Sequence, residues 1–326
     1  MRSFWLETQN GRSTVALRET ATPEPGPYQA LVRVQAAGLN RGELIPGHAL
    51  HGTALHAKPL GMEAAGDVLA VGDLVHGISV GDRIMGRCSG AFAEFALVDT
   101  REAMPIPESL SWETAAAIPI AYMVAYDMLI IQGKLSSQDT LFIAGASSGV
   151  GVACLQIAKA LGARVIGTSG SDEKLDRLAS VGLDVGIRTR KPDFADAVMK
   201  ATEGEGVNLV VNTVGGSVFD ECMQCLAFEG RFATVGYVDG QLSSSIDIGL
   251  LHAKRLVLFG VSSKMRPVAD RAELAHQFSA NIVPLIDKGV FTPPIEKIFP
   301  FESLSEAVEL MSANRHVGKI VLKMSS

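Results

Sequence analysis

Residues 140–151 read TLFIAGASSGVG, and no other stretch constrains the fold of this chain as strongly. Leu141 to Ala144 form an apolar run of strand length, and the five residues that follow, 145–149, are all small. Helix-like sequence then continues to Leu161, and a second apolar strand returns at 164–168. This makes a βαβ unit whose turn has the composition of a nucleotide site. Small side chains let backbone approach a pyrophosphate, and the helix start offers free N–H groups and the positive end of its dipole. The spacing departs from G-x-G-x-x-G, because Ala146 and Ser148 stand in the first two glycine places, with Gly151 as the third. A lone glycine fingerprint is weak, but here the elements on both sides supply its context. The expected pyrophosphate loop is Ala146, Ser147, Ser148, Gly149, Val150 and Gly151. The competing reading is an ordinary strand, turn and helix with a glycine-rich bend.

A chain of 326 residues has room for two domains. With 47% hydrophobic and 20% charged residues and a net charge of −6, there is no electrostatic case for nucleic acid or an acidic membrane as partner. Aromatic content is only 6% while glycine is plentiful, which suits an α/β protein rich in tight turns. No apolar run reaches about 18 residues, and residues 1–10 lack the long apolar core of a signal peptide. A cytoplasmic location is the default expectation.

The four cysteines are Cys88, Cys154, Cys222 and Cys225. Cys222 and Cys225 form a single C-x-x-C inside a helix-like segment, 217–227, with no second pair to complete a zinc site. Core packing is the favoured reading, with redox or metal chemistry as the alternative.

Texture changes along the chain. Up to about residue 118 the pattern is β-rich and punctuated by Pro and Gly, with strands such as 29–36 and 64–71 and a segment 81–98 containing a GDRIMG turn. Beyond Pro119, strands near 140–144, 164–168, 184–187, 207–213, 231–235 and 256–261 alternate with helices. Such alternation predicts a parallel sheet covered on both faces. The tail reads as helix over 268–289, strand over 295–300, helix over 303–312 and a final strand KIVLK at 319–323. That last strand is expected to rejoin the first domain.

Several short segments in fixed order carry a family resemblance: Gly38-Leu39-Asn40, Gly61-Met62-Glu63-Ala64-Ala65-Gly66, Val80-Gly81-Asp82-Arg83-Ile84, Ala91-Phe92-Ala93-Glu94-Phe95, the GASSGVG loop, Gly230-Arg231-Phe232, and Gly318-Lys319-Ile320-Val321-Leu322. Over essentially its whole length the chain resembles the medium-chain dehydrogenase/reductases, specifically the zinc-independent quinone oxidoreductase branch that includes zeta-crystallin. The resemblance implies an α/β fold class: a Rossmann doubly wound parallel sheet over 121–289, plus a GroES-like β-rich domain over 1–120 completed by 290–326. Zinc-dependent relatives carry Cys and His where this chain has Asn40 and Met62, and an amide and a thioether are poor zinc ligands. The four-cysteine lobe of those relatives is also missing, since only Cys88 lies in that region. A rival metal reading rests on His48, His51 and His56, with Glu43 and Glu63 as the nearest carboxylates; a pocket rim or plain surface loop is favoured over it.

Proteins of this fold that prefer NAD usually end the second strand on an acid that holds the ribose 2′-hydroxyl. The corresponding stretch here is Thr168-Ser169-Gly170-Ser171, with Ser169 in the place of the acid. NADPH is therefore the expected cofactor, its 2′-phosphate held by Ser169, Ser171 and Lys174, with Arg188 or Arg190 as a further cation. Lys174 alternatively is a solvated helix residue beside Asp172 and Glu173. By analogy with the family, the nicotinamide is bordered by Val214, Gly236, Tyr237, Phe259 and Val261.

Without zinc to polarise a simple carbonyl, the resemblance implies an activated acceptor, a quinone or an α,β-unsaturated carbonyl, whose charge delocalises as hydride arrives. Candidate catalytic residues are Asn40, at the vacated ligand position, and Tyr122, which matches a family tyrosine. Tyr122 and Tyr126 equally suit a packed helix face, and His51 is a donor of last resort. Enoyl thioester reduction and non-catalytic NADPH binding remain as alternatives. A homodimer is expected from the family, with the apolar strand 256–261 as a candidate edge for pairing.

Overall fold

The computed structural model describes residues 1–9, 12–43 and 57–324. The chain divides into two compact units, Met1–Met123 with Lys264–Ser326, and Val124–Ser263.

The second unit is built on a six-stranded sheet in the order Val185–Arg188, Arg164–Ser169, Thr140–Ala144, Val207–Asn212, Leu226–Thr234, Val257–Gly260. Every neighbouring pair is parallel. The sequence runs outward from Thr140–Ala144 in one direction, then returns to its other side, so the sheet is doubly wound. Its strand order reverses between Thr140–Ala144 and Val207–Asn212, where Ala144 and Asn212 are register partners. A strand covered on both faces reads as a continuous apolar run, and Leu141, Phe142, Ile143 and Ala144 have no solvent exposure. The helix Gly149–Leu161 is buried from Gly151 through Ala158 and stops at Gly162, whose φ of 88° is left-handed. Phe142, Ile166, Phe194, Val210 and Phe232 share one core cluster. Each such side chain contributes about 1.5–3 kcal/mol on burial.

In the first unit, Gln29–Leu39 pairs with Glu63–Val71, which pairs with Arg83–Ser89, which pairs with Phe95–Asp99, and this last strand pairs back onto Gln29–Leu39. A closed antiparallel ring results, with Ala30, Val32, Val68, Ile84 and Val98 packed together. Lys319–Lys323 pairs antiparallel with residues 36–39 of Gln29–Leu39, and Ile295–Pro300 pairs parallel with it in turn. The end of the chain thereby completes the first unit.

Four sequence expectations shift. The second unit ends at Ser263 rather than 289. The helix Val268–Asn281 is instead tied into the first unit, where Arg271 pairs with Glu102 and the Ser109 hydroxyl donates to Asp287 just beyond the helix. That helical stretch is two helices, because Pro284 sits at the start of Val283–Asp287 and cannot continue the preceding one. GDRIMG is a turn only at Gly81 and Asp82, since Arg83 already begins a strand. The helix around the C-x-x-C spans only Phe219–Gln224, because Leu226 is drawn into the sheet opposite Val207. Among the described residues no helix is long and apolar enough to cross a membrane.

Candidate functional site

The loop after the first strand of the parallel sheet is held by its neighbour. Thr168 accepts from Gly145 N–H through its hydroxyl (3.0 Å) and from Ala146 N–H through its carbonyl (2.9 Å). Gly145 has φ of 80°, and a Cβ there would stand 2.5 Å from Thr213 Oγ1. Ser148, in the place of the second fingerprint glycine, is the N-cap: its Oγ accepts from Gly151 N–H and donates to the Gly145 carbonyl, each at 3.0 Å. With that donor taken, Gly149 and Val150 carry first-turn N–H groups that have no acceptor within the helix. Gly151 has to be glycine, since a Cβ would come within 2.7 Å of the Gly145 and Ala146 carbonyl oxygens. Ala146 is buried, and Ser147 is half-buried beside the helix start. The six loop residues thus sit together at the carboxyl end of the strand.

At the end of the second strand, Ser169 is 5% exposed and its hydroxyl has no hydrogen-bond partner among the described residues. Ser171 precedes the helix Asp172–Ser180 without capping it. Lys174 lies half-buried in the first turn of that helix. Arg188 is turned to the surface in an ion pair with Asp172 at 2.9 Å, both side chains 65% exposed. Arg190 instead lies across Gly170, where a Cβ would meet its Nε at 2.5 Å. The guanidinium packed on Gly170, the residue after Ser169, therefore comes from Arg190.

Of the remaining expected residues, Val214, Gly236, Tyr237 and Val261 follow the fourth, fifth and sixth strands of the sheet, and Phe259 lies within the sixth. Val214, Gly236, Tyr237 and Phe259 are half-buried and Val261 is buried. Sequence reasoning passed over what fixes these loops. Asn212, with no solvent exposure, donates to the Gly215 carbonyl and accepts from Val214 and Gly215 N–H. Asp239 accepts from Ser217 and Gln241 N–H. A polar residue closing an apolar strand, VNLVVN, was the available signal for Asn212.

In the first unit, Asn40 belongs to a buried polar cluster. Its Nδ2 donates to Glu43 Oε1 and Glu63 Oε1, both at 2.8 Å, and its Oδ1 accepts from Lys319 Nζ at 2.7 Å. Lys319 Nζ also donates to Glu63 Oε1 (2.6 Å) and to the Leu39 carbonyl (3.1 Å). Glu63 Oε2 accepts from Ile120 N–H. Glu43 Oε2 has no partner among the described residues, and burial with the nearby Glu63 pushes this carboxyl up to about 8, against the Asn40 hydrogen bond. The Asn40 amide is thus fully engaged, which suits an organising role better than contact with an oxyanion. Tyr122 is 1% exposed and its ring stacks on Phe291 at 6.1 Å, which favours the packed-face alternative for this residue.

The chemistry of these residues does not fit zinc. Asn40 is committed to three hydrogen-bond partners, Met62 is a thioether, and burial with Glu63 and Glu43 pushes the Cys88 thiol up, away from the thiolate a metal needs. Cys222 and Cys225 are buried free thiols; burial raises both, Cys225 to about 12, as suits core residues. His48, His51 and His56 lie outside the described residues.

A doubly wound sheet with a glycine turn after its first strand, together with a GroES-like β-rich unit, defines a two-domain dehydrogenase architecture. The sequence matches the alcohol dehydrogenase GroES-like domain over residues 26–108 and the zinc-binding dehydrogenase domain over 149–280. The chain belongs to the medium-chain dehydrogenase/reductase family. It is 32% identical over 321 residues to a phenolphthiocerol/phthiocerol polyketide synthase of Mycobacterium tuberculosis, a match covering 97% of this chain and 14% of that protein. This chain therefore spans about a seventh of the length of that relative. Among solved structures, a mycobacterial protein complexed with NADPH is 26% identical with a TM-score of 0.90, covering 99% of both chains. The quinone oxidoreductase of Pseudomonas syringae pv. Tomato is 26% identical with a TM-score of 0.87, again over 99% of both.

Proposed function

We propose that the protein is an NADPH-dependent oxidoreductase that reduces an electron-poor acceptor, a quinone or an α,β-unsaturated carbonyl, without a metal. The observation that carries the cofactor reading is the buried Ser169 hydroxyl at the end of the second strand, without a hydrogen-bond partner among the described residues, with Arg190 packed on the next residue, Gly170. A carboxylate there would repel a 2′-phosphate, whereas a hydroxyl and a guanidinium donate to it. Residues 146–151 hold the pyrophosphate through first-turn N–H groups, and Ser171 and Lys174 complete the phosphate contacts. Val214, Gly236, Tyr237, Phe259 and Val261 border the nicotinamide. When bound, NADPH supplies the hydride. The solved mycobacterial relative with NADPH supports the same reading.

Asn40, Glu43, Glu63 and Lys319 form a rigid polar floor where zinc-dependent relatives hold their metal, so the acceptor has to delocalise its own developing charge. Glu43 keeps its proton at neutral pH and is the group in this cluster able to release one. The polyketide synthase relative favours an α,β-unsaturated acyl thioester as a second acceptor class. Exposed Phe228, Ile248 and Val257, with the open edge of Val257–Gly260, support a homodimer.

Anaerobic stopped-flow mixing of NADPH-loaded protein with quinones, enones and enoyl thioesters tests this reading. Loss of reduced-nicotinamide absorbance with one class assigns the acceptor. Bound NADPH that is never oxidised across the panel would make this a non-catalytic NADPH-binding protein.

A further inference from the structure

The first unit contains a cavity of about 720 Å³ whose wall includes Glu43, Met62, Lys58, Arg87, Glu102 and Arg271. Its charges do not balance. Arg271 donates from Nε to Glu102 Oε1 at 2.7 Å and from Nη1 to the Arg266 carbonyl at 2.8 Å. Glu102 is 5% exposed and Arg271 is half-buried. Arg87 lies on the same wall, near enough to feel the attraction of Glu102 and the repulsion of Arg271. Among the described residues its half-buried guanidinium has neither a hydrogen bond nor an ion pair. Asp99 also lines the cavity but is paired with Arg101, so the two guanidinium groups have Glu102 as their one ion-paired carboxylate among the described residues, which leaves a net positive charge and a fork of up to five N–H donors at the cavity. Lys58 and Lys264 also line it, and each lies in the repulsive field of the other.

A half-buried, unpaired guanidinium is costly, because it has given up water without gaining an acceptor. An oxyanion offsets that cost. The planar fork matches carboxylate and phosphate oxygens, and it rejects metal ions by charge. Glu43 and Met62 line the same cavity, and the Asn40 cluster adjoins Arg87, since Glu63 is the register partner of Arg87 and the Met62 carbonyl accepts from Cys88 N–H. A ligand with an anionic group at Arg87 therefore lies beside that cluster.

We infer that Arg87 and Arg271 form an oxyanion-binding site that anchors the carboxylate or phosphate of an acidic acceptor. The acceptor part of this inference rests on the proposed reductase activity, whereas the anion site does not.

Titration calorimetry on the full chain, with inorganic phosphate and with crotonate as separate probes, tests the site without turnover. The expected result is saturable binding of at least one probe, weakened about tenfold or more in Arg87→Gln and less in Arg87→Lys. The probe bound more tightly decides between phosphate and carboxylate. Absence of saturable binding, or equal binding by wild type and both variants, overturns the site. For the acceptor, KM is compared for trans-4-oxopent-2-enoate and its methyl ester. The acid is expected to have the lower KM, an advantage that Arg87→Gln removes while KM for the ester stays unchanged. Equal KM values for acid and ester in the wild type overturn the anchoring role. Arg87-dependent anion binding without turnover of any acceptor would refute the reductase and leave the site standing.

Discussion

Lys319 Nζ stands 2.6 Å from Glu63 Oε1, with side-chain exposures of 3% and 0%, across 256 residues of sequence. The last strand of the chain thereby locks onto the motif in which zinc-dependent relatives place a metal-binding His next to this Glu. All three donors of the ammonium are used, on Glu63, Asn40 and the Leu39 carbonyl. Removing one member of a buried pair strands the other charge. Lys319→Met is expected to lower stability by about 3–5 kcal/mol, read from urea unfolding midpoints, and the double variant Lys319→Met/Glu63→Gln to recover part of the loss. A single-variant loss below about 1 kcal/mol, the range of an exposed ion pair, would contradict this.

Glu43 gives the cluster a pH dependence. Its carboxyl is raised in the folded protein from an ordinary 4.5 to about 8, chiefly by burial. A raised carboxyl contributes stability that is complete below the unfolded value and is lost as pH climbs through the folded one. Stability is therefore expected to decline between about pH 4.5 and pH 8, by on the order of a few kcal/mol. Glu43→Gln should flatten that decline. Unfolding midpoints at pH 5 and pH 8 that change equally in wild type and variant would sink the assignment.

Most of the parallel sheet was legible in the sequence because its strands are buried on both faces and bounded by small residues, as Leu141 to Ala144 are before Gly145. The closing of the first unit by Lys319–Lys323 was legible for a related reason, since an apolar KIVLK needs a partner. Side-chain direction was not legible. Arg188 and Arg190 leave one extended segment in different directions, and only the folded chain shows Arg190 on Gly170 while Arg188 meets Asp172. Tyr122 likewise carried two readings at one helical spacing, and no local pattern showed its stacking on Phe291. The Lys319–Glu63 pair depends on register between distant strands, which no local pattern encodes.

Gly151 sets how closely the helix Gly149–Leu161 approaches the strand before it. A methyl group there would lie 2.7 Å from two backbone oxygens, which cannot move aside as a side chain would. Gly151→Ala is expected to cost about 1–3 kcal/mol of stability through overpacking and to weaken NADPH and NADH binding alike. Thermal unfolding together with fluorescence titration of both nucleotides measures it, and unchanged affinity for both would contradict the loop assignment.

Arg190 and Arg188 are expected to differ. Arg190→Glu should weaken NADPH binding tenfold or more with little effect on NADH, consistent with about 1.5–3 kcal/mol for a charge-assisted contact. Arg188→Glu, at a 65% exposed position paired with Asp172, should change both affinities little. Equal effects of Arg190→Glu on the two nucleotides would remove the phosphate contact.

We propose metal-independent reduction of an activated acceptor by NADPH. It is tested by the single-turnover rate of NADPH oxidation by an α,β-unsaturated ketone, measured before and after exhaustive treatment with a divalent-ion chelator. Equal rates are predicted. A rate abolished by the chelator and restored by zinc would contradict the claim.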